Sequence, residues 1–397
     1  MNYIFSDRVS TLKPSVIREI LKHSSDPSVI SFSAGNPAPE AFPVEEIAAL
    51  SAQILKDNPI GALQYSLTEG YPPLRNTLKE YMKSRHQVGR EFDELIITSG
   101  AQQVIDLTTK VLCNEGDVIL CESPSFIGSL NTFRSYNVRL HGVPMEDDGM
   151  DLAALEQALK EESKAKFIYT IPNFQNPSGI TMSLEKRKSL YQLAKQYQII
   201  ILEDNPYGDL RVSGDPLPSI KSMDEDGLVV YAGTFSKVIS PGLRVGYTIA
   251  PQELIQKMVV GKQCSDVHTN ILAQIICEQY MKQYDYDAHL RRMKDIYTRK
   301  SSLMLREIEK HLTPKGITHK SVEGGLFVWC TLPDGVDMME FCNRAVQRKV
   351  CVVPGSAFLT DETAPCQSFR MNFSTPTDEQ IVEGMEILGQ LAAEMIP

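Results

Sequence analysis

From about residue 94 the chain repeats one alternation, and that alternation restricts the fold more than any other feature. "ELIITSG" reads as a strand and "AQQVIDLTTKVL" as a helix. "DVILCE" is the next strand, followed by a helix around 126–136. "KFIYTIP", the helix "LEKRKSLYQLAKQY" and the strand "IIILED" continue the pattern, and "LVVYAG" and "RVGYTIA" close it as strands. Short apolar runs separated by amphipathic helices predict an α/β fold whose mainly parallel sheet is covered on both faces. Such sheets bind ligands beyond the carboxyl ends of their strands.

After about residue 290 the style changes. A long charged helix is predicted over roughly 286–311, then "GGLFVWCTL", a helix near 337–349, "VCVVPG", "SFRMNFS" and a closing helix. This reads as a separate α+β domain. The first 45 residues carry too few apolar positions to fold alone and are expected to pack against it. The expected division is a large domain over 46–290 and a small one formed by 1–45 with 291–397.

Composition excludes several classes. The 397 residues carry 40 basic and 50 acidic side chains without a basic cluster, which argues against nucleic acid as a partner. The N-terminal stretch lacks the basic and apolar regions of a signal peptide, and no run of about 18 apolar residues occurs. Eight cysteines without a C-x-x-C pair, several in strand-like runs, read as reduced core residues of a cytoplasmic protein. "NFS" at 372–374 is read as a chance glycosylation match. The P-loop, H-E-x-x-H, G-x-S-x-G and G-x-G-x-x-G motifs are absent, and the histidines show no metal-ligand spacing. No metal site is expected.

The chemistry concentrates in "TFSKVISPGLRVG", residues 234–246. Lysine is a compact cation whose pKa falls readily, so Lys237 can serve as a Schiff-base amine. The hydroxyls of Thr234 and Ser236, a Pro-Gly turn and Arg244 beside it suit a phosphate. A ligand with both an aldehyde and a phosphate is pyridoxal phosphate; the alternative is a surface loop with an ordinary lysine. "IIILEDNPYGDLR" ends a strand with Asp204 and sets Tyr207 three residues on. The pyridine ring of that cofactor needs a carboxylate at its nitrogen, although Asp204 could equally form a strand-end turn. Asn176 in "NFQNPSG" could donate to the ring oxygen or merely turn the chain before Pro177. "TSGAQQ" joins a strand to a helix, where backbone N–H groups hold an anion.

In order along nearly the whole chain, "LQYSLTEGYPPLR", "TSGAQQ", "ESPSFIG", "IPNFQNPSG", "LEDNPYGDLR", "GTFSKVISPGLRVGY", "EGGLFVW" and "FRMNFS" resemble the class I aminotransferases of the fold type I superfamily. The 2-aminoadipate/kynurenine branch and the effector domains of MocR-type regulators look most similar. The resemblance implies a seven-stranded, mainly parallel sheet sandwiched by helices in the large domain, pyridoxal 5'-phosphate as cofactor, and a homodimer with shared sites. It implies that Lys237 is the Schiff-base lysine, that Asp204 pairs with the pyridinium nitrogen, and that Asn176 and Tyr207 bond the ring oxygen, with Lys237, Asp204 and Tyr207 as the catalytic group. Phe126 would stack on the ring, where the family usually has tyrosine. Ser236, Arg244, Thr234 (for the usual serine), Gly100 and the backbone at Ala101 and Gln102 would hold the phosphate. Tyr65 would reach the phosphate of the neighbouring subunit. Arg370 would clamp the substrate α-carboxylate, Gly35 would line the substrate pocket, and Arg18 in "SVIREIL" could reach a distal carboxylate or be a solvated helix residue.

The implied activity is amino transfer from an L-amino acid (2-aminoadipate, aromatic, or branched and aliphatic) to a 2-oxo acid such as 2-oxoglutarate, by a ping-pong mechanism in amino-acid biosynthesis. The alternatives are a β-eliminating lyase or a decarboxylase on the same fold, and a cofactor-sensing regulator. Such regulators carry an N-terminal helix-turn-helix module, and the family pattern here begins within about 30 residues of Met1.

Overall fold

The computed structural model describes residues 3–10, 12, 26 and 28–396. Its strands run β1 (Ile30–Ser31), β2 (Asp93–Thr98), β3 (Val118–Ser123), β4 (Arg139–Glu146), β5 (Gly149–Met150), β6 (Ala165–Thr170), β7 (Ile200–Asp204), β8 (Val229–Thr234), β9 (Gly246–Pro251), β10 (Thr318–His319), β11 (Phe327–Thr331), β12 (Val350–Cys351), β13 (Val353–Pro354) and β14 (Ser368–Asn372). The large sheet has the order β2-β9-β8-β7-β6-β3-β4-β5. It therefore holds eight strands where seven are expected; the extra one, β5, is a two-residue antiparallel return on β4. Among the longer strands only β9 runs against the others.

Burial explains why these segments are strands. Val118 and Leu120 of β3 join one apolar cluster, with Leu155 and Leu190 from the helices Leu152–Glu161 and Leu184–Tyr197. Ile119 and Cys121, the alternate positions, join the other, with Val104 and Ile105 of the helix Ala101–Leu112. Both faces of the strand are covered, so its sequence is a continuous apolar run. Helix ends are fixed locally: Ser183 and Asp151 accept backbone N–H groups at the starts of Leu184–Tyr197 and Leu152–Glu161, and Thr377 with Gln380 makes a capping box before Asp378–Met395.

A second sheet, β10-β11-β14-β13, is antiparallel. β1 pairs parallel with β12, and Asn372 N–H donates to the Phe32 carbonyl. The segment from residue 28 thus packs on the C-terminal part. One expectation changes. Cys264 is exposed and Cys113 and Cys366 are half-buried, so the cysteines are all free but not all core; Cys264 follows the end of the helix Gln252–Gln263, on its solvent side. No helix among the described residues is long and apolar enough to cross a membrane.

Candidate active site

The ends of β2, β6, β7 and β8 point the same way, and the segments that follow them carry the residues singled out in the sequence. β9 is antiparallel, so Arg244, just before its start, reaches that same edge. Between this edge and β14 of the second sheet lies a cavity of about 350 Å³. Gly35, Ala101, Gln102, Phe126, Asn176, Asp204, Tyr207, Thr234, Ser236, Lys237, Arg244 and Arg370 all line it. Residues up to 335 positions apart in sequence are brought to one wall.

Lys237 donates from Nζ to the Gly35 carbonyl at 2.8 Å. Burial, then the nearby Arg370 and Arg244 guanidinium groups, push its amine down to about 8, against a smaller opposing pull from Asp204. At pH 7 about a tenth of such an amine is neutral and nucleophilic. Asp204 closes β7 and is buried. One oxygen accepts from the Tyr169 hydroxyl at 2.8 Å; the other, Oδ1, has no partner among the described residues. Burial raises its carboxyl to about 7.

Gly100 and Arg244 build the opposite end. Gly100 (φ 81°) precedes the helix Ala101–Leu112, whose first N–H groups have no acceptor within the helix. A side chain at Gly100 would collide with the Arg244 guanidinium, 2.4 Å from an added Cβ. Arg244 is itself left-handed (φ 54°), closing the short helical turn Pro241–Leu243 in a conformation that non-glycine residues adopt rarely. Its Nη2 donates to the Ser99 carbonyl at 3.1 Å and its Nη1 to Ser236 Oγ at 3.4 Å. Thr234 Oγ1 lies 3.0 Å from Ser236 Oγ. Helix N–H groups, a guanidinium and two hydroxyls on one concave wall suit a dianion. The side-chain amide of Gln102 donates instead to Gly128 O and Thr132 Oγ1.

Arg370 stands on β14 between Trp329 of β11 and Val353 of β13. Its guanidinium lies 4.2 Å from the Phe327 ring centre and 4.9 Å from that of Phe358. It donates to Asn176 Oδ1 (2.8 Å) and Ser33 O (2.7 Å), and its Nε is unpartnered. Burial without an acid beside it pushes this arginine down to about 10. Tyr207, against the Phe327 ring edge, is buried and its phenol is pushed up.

One of the residues singled out in the sequence falls elsewhere. Tyr65 is 81 % exposed and its ring meets that of His268 edge-on; it does not line the cavity of its own chain. Arg18 lies outside the described residues. The sequence reading missed Phe358, which no motif marks, and the Ser129–Tyr169 pair behind Asp204, since a tyrosine inside an apolar strand reads as core.

A parallel sheet whose strand ends gather a low-pKa amine, a buried carboxylate and a helix-start anion wall belongs to the pyridoxal-phosphate enzymes of fold type I, and the cofactor is pyridoxal 5'-phosphate. The chain is a member of the family described as aminotransferase class I and II, which matches residues 27–388. It is 40 % identical over 394 residues to aromatic-amino-acid aminotransferase 1 of Thermococcus litoralis, covering 98 % of this chain and 94 % of that one. It is 38 % identical to the 2-aminoadipate transaminase of Thermus thermophilus, over 97 % and 96 % of the two chains. A kynurenine aminotransferase of Pyrococcus horikoshii, solved with PMP, superposes with a TM-score of 0.95 at 36 % identity, over 99 % of this chain and 98 % of that one. The protein is an aminotransferase.

Proposed function

We propose that the enzyme moves the amino group of an L-amino acid, from the 2-aminoadipate, aromatic or branched and aliphatic classes, to a 2-oxo acid such as 2-oxoglutarate in two ping-pong half-reactions. The observation that carries this reading is Arg370: a buried guanidinium without an acidic partner among the described residues, facing the cavity of the Lys237 amine. Such a fork takes a free α-carboxylate through two parallel bonds. Apolar walls from Ile105, Ile127, Ile171 and Phe327 favour apolar donor side chains, and the names of the relatives span the aromatic and 2-aminoadipate classes. A panel of amino donors with 2-oxoglutarate tests it: glutamate must form. Pyruvate and ammonia released without an acceptor would instead indicate a lyase.

Bound pyridoxal 5'-phosphate supplies an aldehyde for the substrate nitrogen and a protonated ring that draws charge from the substrate α-carbon. The residues present fit it. The unpaired, buried Asp204 Oδ1 would be satisfied by a ring N–H. The missing Cβ at Gly100 lets the Arg244 guanidinium lie against the turn, and Ala101 and Gln102 N–H, Thr234, Ser236 and Arg244 would neutralise the phosphate. Asn176 and Tyr207 would hold the ring oxygen and Phe126 would cover the ring. Lys237 would bind the aldehyde; displaced by substrate, its amine would carry the proton off the substrate α-carbon. Gly35, whose carbonyl already steadies that amine, would line the substrate end.

The depressed Lys237 pKa has a direct consequence. Capture of cofactor by apoenzyme should accelerate as pH rises and level off just above 8, where the amine is mostly neutral. Stopped-flow absorbance measures this; a rate still climbing past pH 10 would mean an ordinary exposed lysine.

The active unit is a homodimer in this reading. Ile60, Leu63, Tyr65 and Leu67 form an exposed apolar stretch, which a free monomer rarely maintains. If Tyr65 serves the partner's site, a heterodimer of Tyr65→Phe and Lys237→Ala subunits has one intact and one doubly defective site. Equal amounts re-associating at random should then recover about a quarter of native activity. Activity no higher than that of the Tyr65→Phe component would place Tyr65 in its own subunit's site or in none. Residues 46–290 are assigned to the cofactor-binding unit and 1–45 with 291–397 to the second, with the helices Val44–Asp57 and Tyr286–His311 running through both boundaries. A cytoplasmic location accords with the free cysteines, and a biosynthetic role belongs to the same reading.

A further inference from the structure

Two buried carboxylates stand near the cavity floor, and they are treated differently. Glu122 is fully satisfied: Thr170 Oγ1, Ile171 N–H and Gln175 Nε2 donate to its two oxygens at 2.5–3.3 Å. Asp204 receives one donor, the Tyr169 hydroxyl, on Oδ2, and keeps Oδ1 bare. Tyr169 lies in β6 and is completely buried, its ring held edge-on by Phe133 at 5.4 Å. Ser129, also buried, sits 2.7 Å from the Tyr169 oxygen, on the helix Ile127–Arg134.

The direction of this chain follows from the chemistry of its end. Tyr169 donates to Asp204 Oδ2, the arrangement that an ionised carboxylate, which only accepts, requires. Its single hydrogen is then spent, so Ser129 must donate to Tyr169. Burial and the adjacent Asp204 charge push the Tyr169 phenol well above its ordinary value, so it stays a donor throughout the working range. Two hydroxyl dipoles are thus aligned toward one carboxylate oxygen in a water-poor interior, where hydrogen bonds in series strengthen one another.

We propose that Ser129 and Tyr169 are positioning residues that act through Asp204, holding it ionised and in the single rotamer that presents Oδ1 to the ring nitrogen of the cofactor. The inference rests on the Asp204 role given above. Without Tyr169 the carboxylate would lose its one protein hydrogen bond, would favour its neutral form and could swing both oxygens.

The test compares cofactor affinity for apoenzyme, read by fluorescence titration, with pyridoxal phosphate and with an analogue whose ring nitrogen is replaced by CH. Tyr169→Phe should weaken pyridoxal phosphate by about 10- to 100-fold, the size of one hydrogen bond to a charged group. The analogue should bind both proteins alike, since it offers nothing to Asp204. Ser129→Ala should act in the same sense and less, because Tyr169 still donates. An equal loss for both ligands, or no loss for pyridoxal phosphate, would overturn the proposal. If Tyr169→Phe folds poorly because Ser129 is orphaned, the Ser129→Ala/Tyr169→Phe double variant removes both hydroxyls and must reproduce the selective loss. Asp204→Asn separates the premises. A selective loss there without one in Tyr169→Phe rejects the relay alone; none in either rejects the Asp204 role and the relay with it.

Discussion

Lys237→Ala should abolish the visible absorption of the purified enzyme after dialysis and lower turnover by at least the roughly 10²–10⁴-fold that positioned proton transfer alone provides. The loss should be larger still, because the same side chain would hold the cofactor and move the proton. The variant should nevertheless fold. Lys237 is harder to ionise in the folded chain than in the unfolded one, since burial and two arginines oppose its charge. At neutral pH such a lysine costs stability. Thermal unfolding of the apo variant at pH 7 should therefore come no lower than that of the native apoenzyme. This pairing separates a site lysine from a structural one. A variant that turns over at the native rate would overturn the assignment, and one that melts early would show that the amine supports the fold.

Most of the scaffold could be read from the sequence because its strands are buried on both faces. β3, β6, β7, β8, β9 and β2 are apolar runs for that reason. β4 escaped the alternation: it lies near the sheet edge, only Val143 within it is buried, and "RLHGVPME" carries charge at both ends. Lys237, Asp204 and Arg244 stood out because strand ends in such sheets are where chemistry gathers. What one sequence does not disclose is distance across the fold. Arg370 meets Asn176 across 194 positions, and Lys237 meets Gly35 across 202; neither contact has a local signal. Tyr169 looked like core because it is core, and only the bare oxygen on its partner gives its hydroxyl a purpose. Tyr65 is legible as a motif, but its place depends on a surface that a single chain leaves open.

Arg370→Ala should lower kcat/KM for every amino acid and oxo acid alike. Removing one partner of a buried, hydrogen-bonded charge pair costs roughly 2–5 kcal/mol. At about 1.36 kcal/mol per factor of ten, the expected loss is roughly 30- to several-thousand-fold. The surroundings of Arg370 argue for the full effect. Two aromatic ring centres lie 4.2 and 4.9 Å from its guanidinium, and Asn176 and Ser33 fix its orientation, so much of the ordering cost is met before substrate arrives. Nothing acidic competes for it among the described residues. Arg370→Lys should recover little, because an ammonium cannot make two parallel bonds and cannot stack between Phe327 and Phe358 as a plate. The discriminating measurement is the half-reaction, followed by the visible spectrum, with an amino acid and with the amine left when its carboxylate is removed. The amino acid should react far more slowly with the variant; the amine should react about equally with both proteins, since it never used the fork. A visible band should still be present before substrate, because Lys237 would still hold the cofactor, although its pH dependence should shift upward once the Arg370 charge no longer opposes that amine. An equal loss with both donors would mean that Arg370 supports the cavity wall through Asn176, and the carboxylate would then have to be bound elsewhere.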